Sequence, residues 1–151
     1  MTPFQQAQRF VGIHEQKEPG KDHPLIQFAL SLCTGFTVDS PDETPWCSAF
    51  VNLICWLLAL PRSKSAAARS WLNVGARIAL ADATPGFDVV ILQRGEGPQP
   101  GPEVLTAQGH VGFFAGWQDD RVLVLGGNQG DAVNISSYPK ARVLAVQRLL
   151  V

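Results

Sequence analysis

The 151-residue sequence predicts an α+β domain, with N-terminal helices packed on an antiparallel sheet of about five or six strands. Two observations carry this expectation. The first half of the chain repeats apolar residues at helical spacing behind capping signals, and from Pro85 onward short β-branched and aromatic runs alternate with turn residues. Helices followed by hairpin-linked strands give segregated layers and an antiparallel sheet. With no internal repeat and a length suited to one hydrophobic core, residues 1–151 are expected to form a single domain.

Between Thr2 and Val11, residues Phe4, Ala7, Phe10 and Val11 share a helical face, with Thr2 as N-cap, Pro3 at the first helical position and Gly12 at the exit. Glu15 to His23 reads as a polar loop. Pro24 opens a second helix through Leu25, Ile26, Phe28, Ala29 and Leu32, ending near Gly35. A third, largely buried helix is expected from Thr44 as N-cap and Pro45 as first residue, through Cys47 and an apolar run to Leu58. Ser65 to Leu80, rich in alanine and containing Trp71, reads as a further helix or pair of turns. The strand runs begin at Asp88, Gly109, Arg121, Ala132 and Arg142, with Gln118-Asp119-Asp120 turning between the second and third. The Gly- and Pro-rich segment 93–108 cannot be regular; it either rims a cleft or is a tolerated surface insertion.

Composition narrows the classes. Apolar residues make up 46% and charged residues 17%, a balance for folding rather than disorder. The net charge of −1, without clustered Lys or Arg, argues against a nucleic-acid partner. The apolar run Ala49–Leu60 is interrupted by Asn52 and too short to span a bilayer. The N-terminus lacks the pattern of a secretory signal, so the expectation is synthesis in the cytoplasm and any extracytoplasmic action by another delivery route. Cys33, Cys47 and Cys55 have neither disulfide-framework nor metal-ligand spacing, and no metal or organic cofactor is expected.

Chemistry concentrates on Cys47. In the first turn of a helix, unsatisfied backbone N–H groups and the positive dipole end favour a thiolate and receive the oxyanion of an acyl-transfer intermediate. Cys33 and Cys55 read as small buried apolar residues. Of three histidines, His14 and His23 lie in or beside the polar loop and read as solvent-exposed. His110 opens a strand where a fixed imidazole would face a helix packed on the sheet. The residue orienting that imidazole should come from the next strand: Asn128 is the first choice, with Gln129 and Asp131 as alternatives, although Gly-Gly-Asn-Gln-Gly-Asp is also what a plain turn looks like.

The segments Asp42-Glu43-Thr44-Pro45-Trp46-Cys47-Ser48-Ala49-Phe50-Val51-Asn52, Ala68-Arg69-Ser70-Trp71-Leu72, Pro85-Gly86-Phe87-Asp88-Val89-Val90, Gly109-His110-Val111-Gly112-Phe113-Phe114 and Leu125-Gly126-Gly127-Asn128-Gln129-Gly130-Asp131 together resemble the small NlpC-like/CHAP-related cysteine hydrolases. The resemblance covers most of the chain and implies a papain-like fold with Cys47 as nucleophile, His110 as base and then acid, and Asn128 or Gln129 as the third polar residue. One departure is Phe87, which intervenes in a motif that usually reads Pro-Gly-Asp and would displace the start of the strand by one residue. Glu43, Trp46, Ser48 and Trp71 are candidate cleft or oxyanion residues, with core anchoring the competing role for both tryptophans.

The implied activity is hydrolysis of a peptidoglycan amide bond, within the peptide stem or between muramic acid and the stem, by a phage lysis enzyme or a secreted antibacterial toxin. Implied partners are the peptidoglycan substrate, phage or secretion delivery machinery and, for a toxin, a cognate inhibitor. Two alternatives stand beside it: an inactive cell-wall-binding or assembly domain of the same fold, and a thiol amidohydrolase with a non-wall substrate.

Overall fold

A computed structural model describes residues 1–16, 22–40 and 45–149. Helix α1, Pro3–Gln8, begins as the capping pattern requires: the Thr2 hydroxyl accepts the Gln5 N–H at 3.2 Å and the Gln5 side chain accepts the Thr2 N–H at 2.9 Å. It is shorter than the apolar pattern to Val11 implies, the chain leaving through turns to Gly12 at φ 103°. Helix α2, Pro24–Ser31, is capped by His23, whose Nδ1 accepts the Leu25 N–H at 3.1 Å. His23 is thus a half-buried cap rather than a solvent-exposed side chain; His14 is exposed.

Helix α3, Cys47–Leu57, starts two residues later than the Pro45 pattern predicts. Thr44 lies outside the described residues. The N-cap position belongs to Trp46, whose backbone is non-helical and whose indole N–H donates to Glu15 at 2.8 Å in the core. All residues from Cys47 to Cys55 are buried, the mark of a central helix enclosed on every side. The helix packs between α1, α2 and the sheet. Gly127 permits the approach: a Cβ there would lie 2.6 Å from the Trp46 ring and 2.8 Å from Phe50 Cβ.

Ser65 to Leu80 holds a correction. A 3-10 helix, Ala68–Asn73, does form, but strand β1, Ala76–Ile78, follows it, then a 3-10 turn, Leu80–Asp82. Only three residues long and lacking an apolar run, β1 carries no sequence signal; its pairing with the last strand makes it a strand. The others are β2 (Asp88–Gln93), β3 (Gly109–Gln118), β4 (Arg121–Gln129), β5 (Ala132–Pro139) and β6 (Val143–Arg148). They form one six-stranded antiparallel sheet in the order β1-β6-β2-β3-β4-β5. Asp88 opens β2 as a buried structural acid, accepting two bonds from Arg148 at 2.7 and 2.8 Å and the Thr84 N–H at 2.8 Å.

Strand alternation divides the core. Val89, Ile91, Val111, Phe113 and Leu125 join the helices, while Val90, Leu92, Phe114, Val122, Val124 and Val146 form a second cluster. Among the described residues, no helix is long and apolar enough to cross a membrane.

Candidate active site

Cys47 is the first residue of α3 and is 3% exposed. It lines a cleft of about 350 Å³ with Pro45, Ala66–Ala68, Arg94 and residues 106–109. The segment between β2 and β3 therefore rims the cleft rather than decorating the surface. Arg69 holds that segment in place. Fully buried, its guanidinium donates to the carbonyls of Gln108 (2.8 Å), Gly101 (2.8 Å), Val104 (2.9 Å) and Pro100 (2.9 Å).

His110 lines the continuation of the cleft, a depression of about 390 Å³, and Arg94 belongs to both linings. The imidazole does not face the helices as expected. Alternation gives that side to Val111, and His110 turns to the other, against the Tyr138 ring at a centroid distance of 5.5 Å. Cys47 is nevertheless beside this strand, since the Val111 backbone N–H points at its sulfur. No hydrogen bond links Cys47 to His110 among the described residues; such contacts tighten when substrate binds.

The amide hydrogen-bonded to the imidazole is that of Gln129, not Asn128. His110 Nε2 and Gln129 Oε1 are 3.0 Å apart. The physical reason is a β-bulge: the β4–β5 register shifts between Gly126 and Gln129, Asn128 occupies the left-handed region at φ 59°, and Gln129 is carried into the buried face. Asn128 only lines the depression. Asp131, at φ 62° beside Gly130 at φ 60°, occupies the two-residue hairpin turn, the geometry of a type I′ turn. Its backbone carbonyl accepts the Glu15 N–H.

Gln129 is oriented unambiguously by its own partners. Its amide nitrogen faces three acceptors, Val124 O (3.2 Å), Asn134 O (2.8 Å) and Asn134 Oδ1 (2.9 Å), so Oε1 must face His110. The imidazole then carries its proton on Nε2 and leaves Nδ1 as the free base. Tyr138 donates to the same Oε1 at 3.0 Å, and Ser136 to Asn134 Oδ1 at 2.7 Å. Sequence reasoning missed Asn134, Ser136 and Tyr138, although their alternate positions on β5 are a readable polar stripe. It also missed Arg94, which looked like one more loop residue.

We expect Gln129→Leu to lower kcat/KM by roughly 10²-fold, because the imidazole loses control of tautomer and orientation. Asn128→Gly, which preserves the backbone conformation, should stay within about threefold of wild type. Steady-state kinetics of both variants makes the comparison, and equal losses would remove Gln129 from the orienting role.

Burial dominates the ionisation of the site. It pushes the Cys47 thiol above its ordinary 9.0, against the opposing pull of the Val111 backbone N–H, the Arg94 charge and the N–H groups of Ser48 and Cys47 itself. It also lowers His110 below 6.5, with the Gln129 bond opposing and Arg94 reinforcing the shift. The N–H groups at the helix start do pull the thiol down as expected, but burial outweighs them and the net direction is upward. A helix terminus contributes about 0.3–1 kcal/mol, whereas full burial moves a pKa by up to about 3–5 units at 1.36 kcal/mol each. Burial raises the Tyr138 phenol to about 12, helped by charge on Cys47 and opposed by Arg94.

Both shifts favour the neutral forms, thiol for Cys47 and imidazole for His110. His110 keeps its basic form below pH 6.5, so the acid limb of kcat/KM should fall below that value. Alkylation of Cys47 by iodoacetamide should be slow at neutral pH and climb only beyond pH 9.0. Fast, pH-independent labelling in mild acid would instead reveal a thiolate–imidazolium pair. Cys33 and Cys55, raised by burial to about 11 and about 12, leave the readout clear.

The remaining candidates lie behind the site. Trp46 and Trp71 are core anchors rather than cleft walls, because each indole N–H finds its acceptor inside: Glu15 for Trp46, and the Ser48 hydroxyl at 2.9 Å for Trp71. The Ser48 hydroxyl donates a hydrogen bond to the Ser65 carbonyl at 2.6 Å, and its backbone N–H points at Cys47. Glu43 lies outside the described residues. Among those described, no three His, Cys, Asp or Glu side chains gather as a metal site requires.

No family model matches the sequence, and no curated protein matches it. Solved structures do. NlpC1 from Trichomonas vaginalis superposes with a TM-score of 0.52 at 16% identity, over 97% of this chain and 42% of its own. The P60 domain of an antigen from M. avium paratuberculosis gives 0.52 at 18%, over 99% and 91%. The peptidoglycan hydrolase RipB from Mycobacterium tuberculosis gives 0.54 at 18%, over 99% and 64%. The chain thus spans about two fifths of NlpC1 and nearly all of the P60 domain. Its six-stranded antiparallel sheet with packed helices is the papain-like NlpC/P60 fold.

Proposed function

We propose that this chain is a cysteine hydrolase that cuts an amide bond of peptidoglycan. The observation that carries the reading is the Gln129–His110 pair, fixed in one tautomer, together with a cysteine at a helix start whose sulfur meets the backbone N–H of Val111, the residue after His110. Neighbours with the same fold include a protein described as a peptidoglycan hydrolase.

In this reading His110 Nδ1 takes the thiol proton as Cys47 Sγ attacks the amide carbonyl. The oxyanion is received by backbone N–H groups at the start of α3. His110 returns the proton to the leaving amine as the C–N bond breaks, leaving a thioester on Cys47. Water then attacks, His110 again accepting its proton, and the acid product leaves with the free thiol restored. The Gln129 carbonyl stabilises the imidazolium at each transfer, and Tyr138 shares that oxygen. As a phage lysis enzyme or a delivered toxin the chain would work outside the cytoplasm, and a toxin's producer would need an inhibitor that fills the cleft.

The test is digestion of purified sacculi, with products identified by mass spectrometry beside a Cys47→Ala control. Soluble fragments ending in a new carboxyl and a new amine, absent from the control, are the expected result and identify the bond. Intact sacculi with both proteins would refute the reading.

A further inference from the structure

We propose that the His110 half of the cleft is a carboxylate-binding subsite, built from Arg94, Arg121 and Arg142, that selects an acidic peptide. It deepens the hydrolase reading by naming the charge of the substrate, and it rests on that reading only for what happens after binding. The depression of about 390 Å³ has three arginines in its lining and neither Asp nor Glu. Composition does not explain this, since the chain holds 12 basic and 13 acidic residues.

The partners of these arginines leave their charge uncancelled. Arg121 donates to the Ser137 hydroxyl (3.1 Å) and carbonyl (3.2 Å), and Arg142 to the carbonyls of Gln93 (3.1 Å) and Gly95 (2.9 Å). All four acceptors are neutral, and these bonds hold each guanidinium at the rim. Arg94 is exposed and has no hydrogen bond or ion pair with another described residue. It is also the residue shared with the Cys47 half, so an anion bound there is held next to the nucleophile. Asp120 lies in an adjoining depression where Arg121 and Lys140 accompany it. Planar guanidinium groups with free N–H edges suit carboxylates, which they bind through two parallel bonds.

The experiment compares one purified muropeptide in its native form and with its carboxyls converted to carboxamides. Binding is measured by calorimetry on Cys47→Ala protein, and hydrolysis on wild type. The native form should bind at least about tenfold more tightly, as loss of a charged hydrogen bond predicts. The preference should collapse toward unity in Cys47→Ala/Arg121→Gln/Arg142→Gln. Because Arg142 also ties down the loop, Arg121→Gln alone, whose partners lie only on Ser137, should lower the preference measurably. Equal affinity for both forms, or a preference untouched by either set of substitutions, overturns the subsite whether or not wild type cleaves. Charge-selective binding without any hydrolysis keeps the subsite and overturns the hydrolase reading alone.

Discussion

Cys47→Ala is expected to lower peptidoglycan turnover by roughly 10⁴-fold or more while leaving the fold intact. The loss is this large because in the proposed mechanism the thiol forms the covalent intermediate, and among the described residues lining its half of the cleft the one other hydroxyl or thiol is that of Thr106. His110→Ala should cost a similar factor. The double variant should be no worse than either single one, since residues acting as one unit are strongly non-additive. Retained thermal unfolding is the control for structure: Cys47 sits at the end of α3, and its truncation leaves the Trp46 and Trp71 anchors in place. Additive losses, or residual activity within about tenfold of wild type, would mean that the two residues do not act together.

The second large effect is structural. Arg69→Met is expected to destabilise the protein by about 3 kcal/mol, near 10 °C in Tm for a chain of this size. Methionine matches much of the length of the side chain but removes the donors of four carbonyls, those of Pro100, Gly101, Val104 and Gln108, of which Gly101 keeps the Val104 N–H. Arg69→Lys should recover only part of the loss, because an ammonium has three donors and no planar fork. Thermal melts, together with limited proteolysis of the segment 94–108, measure both effects. Since Thr106, Ala107 and Gln108 line the cleft, freeing the segment should also raise KM. A melt unchanged by Arg69→Met would show that the loop holds itself without the guanidinium.

The sequence by itself determined the order of layers. Capping at Thr2-Pro3 and at Pro24, the alternation after Asp88 and the Asp119-Asp120 turn are local signals, and local structure obeyed them. Cys47 and His110 were legible as candidates, because each had few competitors in the chain. Other features were decided by tertiary structure alone. Strand β1 exists because β6 offers it an edge, and α3 starts at Cys47 because the Trp46 indole is anchored in the core. Asn128 and Gln129 are adjacent amides that no spacing argument separates; the bulge after Gly126 decides between them by choosing which one faces inward. The ionisation of the thiol was misjudged for the same reason. A helix terminus is visible in sequence, but the burial that outweighs it depends on residues up to 62 positions away, from the 66–68 segment to Gly109. The arginine-lined depression likewise assembles residues 94, 121 and 142, which only sheet closure brings to one wall.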